Sequence, residues 1–332
     1  MVKFVIFMLT LCFIGLPSIA DELGERRKVD NQVSYMFLTE RFNALDKIAD
    51  DYRQTEDRTS SGLWKLTLLY AGLYTHVEWN GGNDEHWQMI KTKALKWIEI
   101  KPESPTPHLV YAGMLYRQAW KQRGIGSSEN AKAEGLKSFY KYLTKAKELL
   151  YETKKMASKD PRWYELMIKI AKAEGWSKQK FATLLSEATS RHPYFYQIYF
   201  VAIEYLSPSW HGSKEEIEIF ARNTIAHTSE EEDQGMYARI YWYASQVIYD
   251  ASLFTNSSID WDRMSASIDD VLERYPDQWN INNFAFFACL AGDQDKTARL
   301  ISQITGEPIL RAWRNKRFFN KCKKWALIDA KV

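Results

Sequence analysis

Apolar side chains recur at helical spacing along most of the chain. One such set is Leu38, Phe42, Leu45, Ala49 and Tyr52, whose members are three or four positions apart. Side chains at this spacing lie on one face of an α-helix, whereas the alternation typical of half-buried strands is essentially missing. The pattern therefore predicts an all-α protein of about thirteen helices joined by short turns.

Local signals mark where several of these helices begin. Asp160 followed by Pro161 is typical of an N-cap with proline at the first helical position. Ser213 and Glu216 fit a capping box, in which each side chain bonds a free backbone amide. One longer polar connection is expected around residues 124–130.

Prolines end several helices at similar places. Pro102, Pro193 and Pro276 each follow apolar residues of the same spacing. The interval from Pro161 to Pro193 is close to the ~34 residues of a tetratricopeptide repeat, although other intervals are longer. We predict an irregular α-solenoid of antiparallel, tetratricopeptide-like helical hairpins. It would form a single domain over residues 34–328, after a flexible N-terminal segment at 21–33.

The first twenty residues have the pattern of a secretory signal peptide. Lys3 precedes an apolar stretch at residues 4–16, and the small residues Ser18 and Ala20 place a cleavage site before Asp21. The apolar stretch is too short to span a membrane, although an uncleaved anchor is the alternative. We expect a periplasmic or secreted protein with no transmembrane span in the mature chain.

Charge and cysteine content fit this location. The net charge of +3 falls close to neutrality when residues 1–20 are removed, so nothing points to nucleic acid as a partner. Cys289 and Cys322 remain in the mature chain and can form a disulfide in an oxidising compartment. Two separately buried thiols are the alternative.

Several longer motifs resemble a known family. They are SSGLWKLTLLYAGL, WYELMIKIAKAEGW, YLSPSWHGSKEEIE, GMYARIYWY and FACLAGD, in this order along the chain. Together they resemble an uncharacterised bacterial family of exported proteins with tetratricopeptide-like helices and a domain of unknown function. The likeness spans roughly residues 38–300 and implies the fold but no activity. In that family the loop usually reads Leu-Pro-x-Trp-x-Gly-Ser, whereas Ser207 stands before Pro208 here.

Motifs for catalysis or cofactor binding are not found. The six histidines and the cysteines lack metal-ligand spacing, and no phosphate-binding or nucleophile motif occurs, so we expect no cofactor, metal or catalytic residue. Carboxylates cluster at Asp50-Asp51, at residues 230–233 and at Asp269-Asp270. A carboxylate pair acting on an envelope polymer would be the enzymatic alternative. Most of these acids lie on polar helix faces or in turns, where solvated charge is the ordinary interpretation.

The C-terminal stretch RAWRNKRFFNKCKKW combines basic and aromatic residues. Through this stretch the protein could dock on an anionic envelope surface, which would make it a structural envelope protein. Alternatively, it is a final helix with one apolar face and one solvated basic face.

The stretch YLSPSWHGS at residues 205–213 is the main candidate for a binding loop. We predict an enlarged turn in which Trp210 packs inward and Gly212 takes an unusual backbone angle. His211 would face a groove that Arg239 and Trp242 also line; otherwise the loop is only a corner of the chain. The candidate binding residues are therefore Trp210, His211, Arg239 and Trp242. We expect an exported helical-repeat scaffold that binds a protein or peptide partner without catalysis.

Overall fold

The computed structural model describes residues 21–79, 84–124 and 133–327. These ranges contain no β-strand, only an isolated bridge between Arg58 and Trp64, which confirms the all-α prediction. The α-helices are α1 (Glu22–Leu38), α2 (Phe42–Thr55), α3 (Lys65–Trp79), α4 (Asp84–Ile100), α5 (Pro105–Arg123), α6 (Ala133–Glu152), α7 (Lys154–Ala157), α8 (Pro161–Glu174), α9 (Lys178–Arg191), α10 (Tyr196–Tyr205), α11 (Lys214–Glu232), α12 (Gly235–Val247), α13 (Leu253–Asn256), α14 (Trp261–Arg274), α15 (Gln278–Ala291), α16 (Gln294–Ser302) and α17 (Lys316–Ala326). No helix in the described ranges is long and apolar enough to cross a membrane.

The longer helices differ in how much of their circumference is buried. Helix α14 buries one stripe, formed by Met264, Ser267, Ile268 and Val271. Helices α10 and α15 are buried on nearly every side. A helix that is apolar all round is covered by neighbours on all faces, so α10 and α15 lie inside the molecule and α14 lies on its outside.

The inner helices pack on one another in chain order. Helix α1 packs on α3, α3 on α5, α5 on α8, α8 on α10 and α10 on α12, while α2, α4, α6, α9 and α11 pack beside them. Helix α1 also contacts α15, near the other end of the chain. Units of an open solenoid contact only their sequence neighbours, so this long-range contact distinguishes the arrangement from a simple open stack.

The helix starts read from the sequence are confirmed. The Asp160 side chain accepts a hydrogen bond from the Arg162 amide, and Pro161 is the first residue of α8. Ser213 caps α11 by accepting from the Glu216 amide at 3.2 Å.

The expectation of a flexible segment at residues 21–33 is wrong. Asp21 caps α1, and the helix buries Glu22 together with Val29, Val33 and Phe37. The three apolar residues are four positions apart, which places them on one helix face against α3. The predicted signal peptide and most of the predicted connection at residues 124–130 lie outside the described residues.

Cys289 and Cys322 form a disulfide in the structure, with Cα atoms 5.9 Å apart. It joins α15 to α17. Cys322 lies on the buried side of α17 beside Phe319 and Ala326, so the bond fixes the face that this helix turns towards the protein.

The double variant Cys289→Ala/Cys322→Ala should be less stable than the wild type. In the loop-entropy model, a bridge closing a loop of this size contributes about 3–4 kcal/mol to the free energy of unfolding. Urea denaturation of the wild type, with and without reductant, and of the variant measures this loss. The variant should not respond to reductant, and equal midpoints for oxidised wild type and variant would contradict the prediction.

Candidate functional site

A pocket of about 250 Å³ lies between helices that are distant in sequence. Its walls come from α1, the loop before α3, and helices α3, α10, α12 and α15. The lining residues are Arg26, Ser61, Leu63, Thr67, Leu68, Ala71, Tyr196, Gln197, Phe200, Arg239, Trp242, Tyr243, Trp279, Asn280, Asn283 and Phe284.

Aromatic rings form much of the wall. Phe200 stacks on Tyr243 with ring centroids 4.7 Å apart, and its ring also lies 6.2 Å from Trp242. Trp242 meets Trp279 edge to face at 6.4 Å. These offset and edge-on contacts are the favoured geometries of aromatic pairs, so the rings hold one another in place and present apolar surface to the pocket.

Asn283 of α15 holds the indole of Trp242 in position. Asn283 accepts a hydrogen bond from Trp242 Nε1 at 3.0 Å and donates to the Trp279 carbonyl at 2.7 Å. Amides inside a buried helix are costly unless they are bonded. These two bonds hold the side chain of Asn283 in place, and through it they fix the rotamer that keeps the Trp242 indole in the pocket wall.

The loop at residues 59–62 is held by groups from both halves of the chain. The Ser61 amide donates to Glu22 at 3.0 Å, and the neighbouring Ser60 amide donates to Glu25 at 2.7 Å. The Ser61 carbonyl accepts from Arg239 Nη1 and from Asn280 Nδ2, each at 3.1 Å. This loop therefore joins α1 to α12 and α15.

Arg239 lies deep in the pocket wall and is 8% exposed. Its guanidinium is sandwiched between the rings of Tyr196 at 4.5 Å and Tyr275 at 5.1 Å. Its Nη2 lies against Gly62, where a Cβ would come within 2.5 Å of it and where φ is +93°. Only glycine meets both conditions without strain, so this glycine permits the close approach.

Glu232 is the buried counter-charge of this cluster. It accepts hydrogen bonds from Arg58 at 3.1 Å and from Tyr196, and its other oxygen lies 3.5 Å from Arg239 Nε. Burial raises the pKa of Tyr196 well above its ordinary value, and Glu232 adds to the rise although Arg239 opposes it. The tyrosine therefore stays protonated and remains a donor to the carboxylate.

The structure separates the four predicted site residues into two places. Arg239 and Trp242 line the pocket, whereas Trp210 and His211 do not. Trp210 is 38% exposed but packs edge to face on Trp120 at 6.0 Å, so the prediction that it packs inward holds only in part. His211 also anchors the loop, since its Nε2 lies 2.9 Å from the Lys172 carbonyl and its ring packs on Tyr205.

The predicted role of Gly212 also needs correction. Its φ is not among the positive values, so it supplies no unusual backbone angle. A Cβ there would collide with the Leu206 carbonyl. Glycine is needed because the loop passes so close to the end of α10.

An ion pair connects this loop to the pocket. The Lys172 ammonium lies 4.8 Å from the centre of the Trp210 ring and bonds Glu204. Glu204 in turn accepts from the Tyr243 hydroxyl at 2.6 Å. Burial, with a further contribution from Glu204, raises the pKa of Tyr243, which therefore stays a donor.

Some carboxylates inside the helical array are neutralised by neighbouring cations, whereas burial raises the pKa of Asp46 and Asp277. Burial alone would raise the pKa of Glu165, but the charges of Arg162 and Lys169 outweigh it and lower the value to about 2. Of the acids noted in the sequence, Asp51 pairs with Lys47 at 2.7 Å and Asp269 with Lys296 at 2.9 Å. No cluster suited to a metal ion occurs among the described residues.

Helix α17 presents a basic face. Its residues Phe319, Cys322 and Ala326 are buried, whereas Lys316, Arg317, Lys321, Lys323 and Lys324 are exposed. None of these cations forms a salt bridge within the described part of the chain.

Arg26, Ser61, Trp279 and Asn283 are site residues that sequence reasoning missed. The asparagines of α15 were the available signal, because polar amides stand in the middle of an otherwise apolar helix. Comparison of the chain with protein-family models, curated proteins and solved structures gives no match. The resemblance to an exported bacterial family therefore stays a prediction.

Glu232→Gln should destabilise the protein far more than Glu231→Gln. Both carboxylates pair with Arg58, but the side chain of Glu232 is 1% exposed and that of Glu231 is 45% exposed. Removing one partner of a buried pair costs about 3 kcal/mol or more, whereas an exposed pair contributes about 1 kcal/mol or less. Chemical denaturation of the two variants measures the difference, and similar losses would show that the cluster is not a stabilising centre.

Proposed function

We propose that this protein is an exported, non-enzymatic scaffold that binds a peptide segment of a protein partner through the aromatic pocket. The observation that supports this most strongly is the pocket itself. It is lined by aromatic rings, has a few convergent polar groups and lies where five inner helices meet. Pockets of this composition are the usual binding sites of globular proteins.

The volume favours a single side chain as the occupant. Sites for drug-sized ligands measure about 300–1,000 Å³, and the pocket at about 250 Å³ is smaller. An apolar cavity of about 150 Å³ accommodates benzene. One large aromatic or branched side chain, carried on an otherwise external peptide, matches the available space.

The proposed architecture is a series of tetratricopeptide-like hairpins whose first and last parts meet. The chain-order packing of the inner helices supports the hairpin series, and the contact between α1 and α15 supports the meeting of the ends. In this arrangement the pocket lies on the inner surface, where helical-repeat proteins commonly bind their partners.

The enzymatic alternative has less support. General acid catalysis by a carboxylate pair needs one carboxyl group with a raised pKa. Burial, with a further contribution from Asp50, raises the pKa of Asp46, and burial raises that of Asp277. Neither residue lines the aromatic pocket, where no carboxylate of the described residues lies. Binding rather than hydrolysis is therefore the function we propose.

The disulfide supports the proposed location. Disulfides persist in the periplasm and outside the cell but are rare in reducing compartments. The bond between Cys289 and Cys322 is thus in keeping with export, with cleavage before Asp21 as proposed from the sequence.

A tryptophan placed at Ala71 should block binding. Ala71 is the pocket-lining residue with an exposed position, so a large ring there would cover the opening and leave the core unchanged. Random peptides displayed on phage, in one library with a free C-terminus and in a second with the C-terminus fused to the coat protein, are selected against the purified protein, and the selected peptides are measured by calorimetry. We expect Ala71→Trp to weaken binding by about tenfold or more.

The matched control is Ala266→Trp, because Ala266 is an exposed alanine on the outer helix α14. It should bind the selected peptides as the wild type does. Failure to select any peptide, or equal binding by the two tryptophan variants, would overturn the proposed function.

A second candidate function, docking on an anionic membrane, is favoured by the basic face of α17. Because the apolar side of this helix is buried in the protein, the contact would be electrostatic, at about 1 kcal/mol per basic residue near the surface.

Lys321→Glu/Lys324→Glu should abolish low-salt cosedimentation with phosphatidylglycerol vesicles. Lys141→Glu/Lys145→Glu, on exposed positions of α6, is the control; equal binding by both variants would exclude α17 as the docking face.

A further inference from the structure

We infer that the pocket recognises the free C-terminus of its partner, with the last side chain inside the pocket and the terminal carboxylate on Arg26. This inference rests on the proposed function and adds the part of the peptide that is bound. It follows from the charge, geometry and position of Arg26.

The charged groups that line the pocket are all cationic. Arg26 and Arg239 contribute guanidinium groups, and no Asp or Glu is among the lining residues. The carboxylates that balance them, Glu22 and Glu232, lie behind the wall and are each about 1% exposed. An anionic group entering the pocket therefore meets donors and no like charge.

Arg26 is oriented so that part of its guanidinium is left for a ligand. Its Nε donates to Glu22 at 2.6 Å, and its Cζ lies 5.1 Å from the centre of the Trp279 ring. No described residue bonds its two Nη groups. Paired Nη donors match the two oxygens of a carboxylate, which is the preferred partner of arginine.

Arg239 cannot take this role, because its Nη1 is bonded to the Ser61 carbonyl and its Nη2 faces Gly62. Arg26 differs in being accessible, with 28% of its side chain exposed. It lies where the aromatic wall reaches solvent, so a ligand can bond it without losing all contact with water.

The covalent structure of a peptide C-terminus fits this layout. The terminal carboxylate is attached to the same Cα as the last side chain. Trp279 contacts both Trp242, at 6.4 Å, and Arg26, at 5.1 Å, so a ring placed against Trp242 would leave its carboxylate beside Arg26. An internal residue would place an uncharged amide there and leave the Nη groups without a partner, which is the recognition difference known from other C-terminus binders.

The test compares short acetylated Gly/Ser peptides ending in Phe, Trp or Leu, each prepared as the free acid and as the C-terminal amide. We expect calorimetry to show the acids binding about tenfold or more tightly than the amides. Arg26→Gln should reduce acid binding to the amide level and leave amide binding unchanged. Arg27→Gln is the control, since Arg27 is the adjacent, largely exposed arginine; it should preserve the difference.

The outcomes separate the inference from the proposed function. Equal binding of acids and amides, with both blocked by Ala71→Trp, overturns the C-terminal inference and leaves peptide binding in place. N-acetylphenylalanine that binds as tightly as the peptides overturns both, because the ligand is then a small carboxylic acid. Absence of binding by every acid also overturns the inference, and the displayed-peptide selection then decides the proposed function alone. If Arg26→Gln does not fold, the comparison of acid and amide on the wild type still decides.

Discussion

The backbone of Ser61 is the point on which the pocket depends. Its amide is bound by Glu22 of α1, and its carbonyl by Arg239 of α12 and Asn280 of α15. Three helices that are distant in sequence are thus fixed relative to the backbone of one residue. Backbone groups that are buried must be bonded, and here side chains provide the bonds that a regular element would otherwise supply. These bonds add to the packing of α1 on α3 and α15 and fix the wall formed by α1 relative to α12.

Around this unit, charge and aromatic surface support each other. The flat guanidinium of Arg239 fits between two tyrosine rings, and Glu232 balances its charge. Arginine suits such a position because its guanidinium is planar and more weakly hydrated than an ammonium group. The polar cluster is therefore compact enough to lie directly behind an apolar pocket wall. The pocket wall is therefore supported by this cluster as well as by the packing of its rings.

The features that sequence predicted well are those set by neighbouring residues. The caps at Asp160 and Ser213 depend on contacts two or three positions away, so the residue types alone predict these helix starts. The helix at residues 22–38 was missed because charged residues surround its apolar stripe, although Val29, Val33 and Phe37 have helical spacing.

The pocket and the loop depended on information that the sequence does not carry. Arg26 and Trp279 meet only because the chain closes on itself, which no local pattern specifies. Hydrophobicity predicts that Trp210 is fully buried, but Trp120 and Lys172 cover only part of the ring. At Gly212, a glycine in a loop is compatible with either a positive φ or a close approach, and only the position of the Leu206 carbonyl distinguishes them.

The contact between Ser61 and Asn280 spans 219 positions of the chain, and this has a consequence for the order in which the molecule forms. Contacts between distant residues are made late, because the entropy of closing a long loop must be met first. During synthesis, the first helices are complete well before α15 has left the ribosome, and domains fold in the order in which they emerge. The walls of the pocket can therefore come together only after α15 has been made, and a chain that ends before α15 lacks part of the pocket wall.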